Sequence, residues 1–232
     1  MRRHSELAAA IAALCILFGT SAVGAAEVGA VTEIRRTVYG VPPQGSQSVK
    51  RAGDAVAFQE QLETVEDSAA LIRFIDDSTL AIGAKSKVLI DAFVFDPAKA
   101  EGNALINISV GTLRFVTGQM PKGKTVIKTP TATLVLRGTA VTVHVHPDGT
   151  TDTTVDEGSV DGHNDVANED MDIDEGEGGT FGNGGNTDFN GTNPPAGPDN
   201  GGGPGDPPEH RRGSEPSPSH QEGPGGSIGP GN

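Results

Sequence analysis

Two short runs constrain this chain more than anything else in it. Ile106, Ile108 and Val110 alternate with Asn107 and Ser109, and Val141, Val143 and Val145 alternate with Thr142, His144 and His146. A period of two puts the apolar members on one face of an extended strand and the polar members on the other. Similar runs occur at Leu71 to Ile75, Thr79 to Ile82, Thr112 to Val116, Thr125 to Lys128, Thr133 to Leu136 and Thr151 to Val155. Turn signals such as Asp76-Asp77-Ser78, Gly111 and Pro147-Asp148-Gly149 separate them. Many short strands at this spacing predict an all-β domain. The segment around Phe58 to Ser68, the one helix candidate, reads better as an irregular entry into a strand over Ala69 to Phe74. With no tryptophan and aromatics at 4%, the core must be layered from Val, Ile and Leu. That composition suits a short-strand solenoid or roll better than a wide sandwich.

The ends read differently. Arg2, Arg3 and His4 precede an apolar stretch from Leu7 to Phe18 and then small residues through Ala26. This pattern predicts a secretory signal peptide over 1–26, cleaved after Ala26, or nearly as well after Ala25. Leu14 before Cys15 is too bulky for a lipid-attachment site, and the cysteine lies within the apolar stretch. From Gly182 to Asn232 the chain holds 15 glycines and 10 prolines in 51 positions. A segment so poor in large apolar residues cannot offset the entropy of ordering, so 182–232 reads as a disordered tail. The acidic run Glu169 to Glu177 fails as a calcium loop, because Glu175 and Phe181 stand where an EF-hand starting at Asp170 needs glycine and glutamate. It is read as an acidic boundary segment, 166–181, after a β domain at 27–165. Past the signal peptide no stretch is long and apolar enough for a membrane span. The chain is therefore expected in the periplasm or outside the cell. A formal charge of −14 argues against nucleic-acid binding.

Two matches imitate active sites. Gly118-Gln119-Met120-Pro121-Lys122-Gly123-Lys124-Thr125 satisfies the phosphate-loop spacing. That loop works at the N-terminus of a helix, whereas here Val126-Ile127-Lys128-Thr129-Pro130 follows, which favours a strand, so a hairpin connection is expected. His144 and His146 share a strand face, and a zinc or copper site could begin there with Asp148, Asp152 or His163. A third ligand is not placed by any pattern, and an exposed polar face is the simpler account. No nucleophile elbow is present. Adjacent acids such as Asp76 with Asp77 and Asp156 with Glu157 should face opposite sides on strands, or water in turns. No cofactor is expected, and no catalytic site.

A family resemblance carries more weight. Ala69 to Leu80 resembles the strand, acidic turn, strand element of the FecR family of extracytoplasmic domains, and Val110 to Gly118 is similar to its next element. Ile127 to Thr139 resembles the family's T-P-x-A stretch ending in R-G-T, and Asp156-Glu157-Gly158-Ser159-Val160 its closing E-G-x-V. The resemblance runs over about Ala52 to Gly162. It singles out Thr129, Pro130, Arg137, Gly138, Thr139, Glu157 and Gly158 as motif residues that organise the fold. Pro130 fixes a corner, and Gly138 removes a Cβ where two backbones approach. Arg137 is expected to pair with an internal acid or with backbone carbonyls rather than with a partner's carboxylate, so Arg137→Ala should lower thermal stability. Asp77 stands where the family often has glycine in a D-G-S turn, which implies a different turn type.

The best-known members of the family pass a signal from an outer-membrane siderophore transporter to a cytoplasmic σ factor, using a cytoplasmic segment and a retained membrane span. This sequence offers neither, so the resemblance implies a detached extracytoplasmic module. The leading expectation is a non-catalytic protein-interaction or scaffold module that binds an envelope or extracellular protein through β-edges or a strand face. The alternatives are an envelope signalling component related to iron-transport σ-factor regulators, or an exported carbohydrate- or metal-binding protein.

Overall fold

A computed structural model of the chain describes residues 26–184 and 187–189. The expected signal peptide, apart from Ala26, and the expected tail beyond Phe189 lie outside the described residues. Seventeen strands follow one another without a helix among those residues. They are β1 (Glu27–Arg35), β2 (Val38–Val41), β3 (Ser48–Val49), β4 (Ala55–Ala57), β5 (Gln61–Thr64), β6 (Ala69–Phe74), β7 (Thr79–Ile82), β8 (Lys87–Asp96) and β9 (Glu101–Val116). After these come β10 (Thr125–Lys128), β11 (Ala132–Leu136), β12 (Ala140–Val145), β13 (Thr151–Glu157), β14 (Ser159–Asn164), β15 (Glu169–Asp174), β16 (Gly178–Phe181) and β17 (Thr187–Phe189).

The pairings build two facing layers. Sheet A runs β4-β1-β6-β7-β9-β12-β13-β16-β17. Sheet B runs β3-β2-β5-β8-β9-β10-β11-β14-β15. From β6 onward the chain lays two consecutive strands in one layer and then crosses to the other, except that β9 itself passes from sheet B into sheet A before β10 returns to sheet B. The all-β class is observed, and neither sheet closes on itself. The parallel pairing of a solenoid coil occurs at β9–β10, and the other pairs are antiparallel.

β9 belongs to both layers. Its first part pairs with β8 and β10 in sheet B, and its last residues pair with β7 and β12 in sheet A. By sequence, Gly111 marks a turn between a strand over Ile106 to Val110 and another over Thr112 to Val116. The structure instead bends one continuous strand there. Gly111 has φ +95°, and a Cβ on it would lie 2.2 Å from Ser86 Oγ and 2.5 Å from Ser86 Cα. Ser86 fills the inside of this bend, accepting from Thr112 N at 2.9 Å.

Alternation sends the aliphatic side chains between the layers. Val141, Val143, Val145, Ile106, Ile108, Leu113, Leu80, Ile82 and Ile127 are all buried. Phe74 of sheet A stacks on Phe93 of sheet B with ring centroids 4.3 Å apart. Farther along, Phe181 of sheet A fills the space left by Gly162 of sheet B, where a Cβ would meet its ring at 2.4 Å. This contact corrects the expected boundary at 165. The acidic segment 166–181 folds as β15 and β16, and β17 lies inside the stretch read as tail. Ile173 and Phe181 are fully buried, and Asp170, Asp172 and Asp174 take the opposite, solvated face of β15.

Candidate interaction surfaces and motif corners

The motif residues assemble two corners. At the first, Arg137-Gly138-Thr139 carries the chain from sheet B to sheet A, and Gly158 carries it back. The two crossings lie against each other. Arg137 N donates to Ser159 O at 3.0 Å, Thr139 Oγ1 donates to the same carbonyl at 3.0 Å, and Thr139 N donates to Thr117 Oγ1 at 3.2 Å. Both glycines are left-handed, with φ +71° at Gly138 and +77° at Gly158. A Cβ on Gly158 would lie 2.3 Å from Gly138 O, whereas one on Gly138 would meet nothing closer than Lys122 Cε at 3.2 Å. The close approach expected at Gly138 is therefore made possible by Gly158, and Gly138 serves its own conformation. Glu157 is exposed beside this corner.

Arg137 finds an internal acid. Its Nε donates to both carboxylate oxygens of Asp161 at 2.7 Å, and its Nη2 bonds Oδ2. The side chains are 55% and 36% exposed, so water screens much of the attraction. The expected stability loss in Arg137→Ala is therefore small.

At the second corner Thr129 Oγ1 accepts from Thr131 N at 3.2 Å and from Ala132 N at 2.9 Å, closing the turn that Pro130 stiffens. Thr151 Oγ1 donates to Thr129 Oγ1 at 2.8 Å. The buried Thr131 hydroxyl lies 3.0 Å from Gly149 O and 3.1 Å from Phe181 O. Thr131 and Thr151 thus tie the β10–β11 turn to the β12–β13 turn and to β16. Thr151 alternates in phase with buried Val155, which is the local signal of its inward face.

The phosphate-loop mimic has most of its amides engaged within the chain. Gly118 N donates to Ser78 Oγ at 3.0 Å, Gln119 N to Asp76 O at 2.7 Å and Met120 N to Asp76 Oδ2 at 3.2 Å. Gly123 N donates to Leu136 O at 2.8 Å, and Thr125 opens a strand instead of a helix. A Cβ on Gly118 would lie 2.3 Å from Asp76 O. The segment joins two parallel neighbours, β9 and β10, so the expected hairpin connection is replaced by a return across the layers.

Asp76 overturns the reading of adjacent acids as solvated. It is 0% exposed, with its carboxylate accepting from Ser78 N at 2.9 Å, Ser78 Oγ at 2.5 Å and Met120 N. A turn residue is buried here because the 117–120 segment packs over it, a long-range contact that local sequence does not show. Asp77 adopts φ +65°, the left-handed conformation glycine would supply. Glycine would reach this conformation at lower cost. Arg73 reaches Asp77 Oδ1 at 2.6 Å, and Gln119 Nε2 donates to Oδ2 at 2.8 Å. Their hydrogen bonds, Arg73 first, hold the Asp77 carboxyl below the usual carboxylate range. A second buried acid also escaped the sequence reading. Glu60, 1% exposed, lies 2.6 Å from Lys50 Nζ, in space that Gly40 leaves open.

Two polar faces remain. On the outside of sheet A, register aligns Thr112, His144, Asp152 and Thr180 across four strands. His144 Nδ1 shares a hydrogen bond of 2.6 Å with Thr112 Oγ1, His146 Nε2 donates to Asp152 Oδ2 at 2.7 Å, and Thr180 Oγ1 donates to Asp152 Oδ1 at 2.7 Å. The two imidazoles meet edge to face at 4.4 Å. Burial, and then the neighbouring His146, push His144 below the ordinary histidine range, although Asp152 pulls the other way. Among the described residues no three histidine, cysteine, aspartate or glutamate side chains converge as a metal site. Asp148 and His163 do not join this pair: His163 lies on sheet B, where its Nδ1 bonds Asp170 at 2.7 Å. There Thr133, Val135, Asp161, Gly162, His163, Asp170 and Asp172 line a shallow groove.

A two-layer β domain whose motif residues hold corners, with polar faces outside, is the class of protein this geometry defines. Residues 60–161 match the FecR family, described as FecR protein, so the chain carries a FecR-family domain running from just before β5 into β14. No curated protein matches the chain. It resembles two crystal structures of a candidate anti-sigma factor from Parabacteroides distasonis ATCC 8503, at 12% and 14% identity with TM-scores of 0.46 and 0.47. Each match covers 57% of this chain and spans 59% of the solved one. Among the described residues no helix is long and apolar enough to cross a membrane.

Proposed function

We propose that the protein is a non-catalytic, protein-binding component of a signalling or regulatory system in the bacterial envelope, exported to the far side of the inner membrane. The FecR match over 60–161 carries this reading. Its motif residues are engaged in corners, which leaves the outer sheet faces and sheet edges as the surfaces through which such a domain would meet another protein. A scaffolding role uses the same surfaces without passing on a signal, and no observation favours it over signalling.

In-cell photo-crosslinking from Val135, on the sheet B groove, and from Thr180, on the outer row of sheet A, tests the reading. Recovery of a membrane transporter or a σ-regulatory protein is the expected result. Recovery of wall or matrix components alone would replace signalling by scaffolding.

A further inference from the structure

Two imidazoles meet on the outer face of sheet A, where the rings of His144 and His146 lie 4.4 Å apart between centroids. Their backbone is held firmly. β12 is hydrogen-bonded to β9 on one side and to β13 on the other, and buried Val143 and Val145 turn both histidines outward. One nitrogen of each ring is already engaged. His144 Nδ1 lies 2.6 Å from Thr112 Oγ1, and His146 Nε2 donates at 2.7 Å to Asp152 Oδ2, while Thr180 Oγ1 holds the other oxygen of that carboxylate at 2.7 Å. A histidine that binds a metal through one nitrogen ordinarily gives the other N–H to an oxygen acceptor, which fixes both ring and tautomer. With Nδ1–H donating to Thr112, the lone pairs left over are those of His144 Nε2 and His146 Nδ1. Among the described residues no hydrogen bond occupies either nitrogen, and both side chains are half-buried, so solvent and ions reach them.

The ring separation decides which ion fits. Two imidazoles bound to one ion through nitrogens at about 2.0 Å have centroids roughly 4.5 Å apart at a right angle and roughly 5 Å apart at a tetrahedral angle. The observed 4.4 Å fits the right angle of a tetragonal Cu(II) site better than the tetrahedron of zinc. Copper(II) also leads the affinity order of the divalent first-row ions for such donors. We infer that His144 and His146 form a two-imidazole Cu(II) site, oriented by Thr112 and Asp152, with water in the remaining coordination positions. Among the described residues no group of three histidine, cysteine, aspartate or glutamate side chains is arranged around an ion, so the site is open and exchanges its metal. The carboxylate of Asp152 beside His146 offsets part of the added charge. The site does not depend on the signalling role.

Titration of the signal-peptide-free chain with copper(II) alone, followed by calorimetry and electron paramagnetic resonance, is the test. The expected result is one equivalent with a tetragonal spectrum split by two imidazole nitrogens, bound at least tenfold tighter than zinc. His146→Gln, at a side chain 40% exposed, should weaken that equivalent tenfold or more with little change in the melting temperature of the metal-free chain, and His144→Gln should weaken it likewise. Asp152→Asn keeps both imidazoles and should still weaken binding severalfold, because the ring of His146 loses its anionic acceptor. His163→Gln should leave the equivalent unchanged, as should joint replacement of His210 and His220, which lie outside the described residues. Absence of stoichiometric copper binding, an unchanged affinity in His146→Gln or His144→Gln, or zinc bound as tightly as copper would overturn the inference. So would a first equivalent lost on replacing His163, or His210 with His220.

Discussion

Gly158 shows how much one missing Cβ holds in place. Its left-handed φ costs an L-residue about 1–2 kcal/mol, and the Cβ would also collide with Gly138 O. Gly123 has a similar φ of +73° but nothing within 4 Å of its Cβ position. Gly123→Ala should therefore cost about 1 kcal/mol and Gly158→Ala roughly 3 kcal/mol or more, a difference readable as several degrees of melting temperature. Equal losses would mean that the corner relaxes freely. His144 supplies a pH dependence with a definite sign. Its folded pKa lies below its unfolded value, so the unfolded chain binds more protons in the window below about pH 6.5. Its contribution is fully present above that value and falls away as pH drops toward the lowered folded pKa. Melting temperatures at pH 7.5 and 5.5 should differ less in His144→Gln than in the unaltered chain.

At the scale of elements, β9 and the segment after it set the topology. A 16-residue strand can serve both layers only if it bends sharply, and Gly111 over Ser86 supplies the bend. Gly111→Ala puts a methyl group into Ser86 backbone at a left-handed φ, which should cost about 3 kcal/mol or more in urea unfolding. A loss below 1 kcal/mol would show that the bend does not depend on this glycine. The short strands Thr79 to Ile82 and Thr125 to Lys128 were legible residue for residue, because alternation and flanking turns are local signals. The continuity of β9 was not, since glycine with positive φ marks a turn and a strand bend alike. Of the candidate surfaces, the His144 and His146 face was legible from spacing alone. The buried Asp76 and the Asp161 partner of Arg137 were not, because both contacts join distant segments.

Among the described residues the fold extends by adding strand pairs to alternate layers, and the FecR match ends before that growth does. Met171, Ile173 and Phe181, contributed by β15 and β16, pack over Gly162 and Gly179 between the layers. Ending the chain after Asp165 removes Ile173 and Phe181 from the core, worth roughly 1.5–3 kcal/mol each, a large part of a typical domain's stability. Such a chain should melt at a much lower temperature and less cooperatively than one ending after Phe189. Identical melting curves by circular dichroism would restore 165 as the true end of the domain.

Alternation of aliphatic and polar side chains determined by itself that this chain forms short half-buried strands, because each strand's facing depends only on neighbours two residues away. Tertiary structure alone decided which strands became partners, that β9 joins both layers, and that an acidic segment belongs to the body. Those outcomes rest on backbone approaches and buried hydrogen bonds between residues far apart in the chain, at Gly158 with Gly138, Asp76 with Met120 and Phe181 with Gly162.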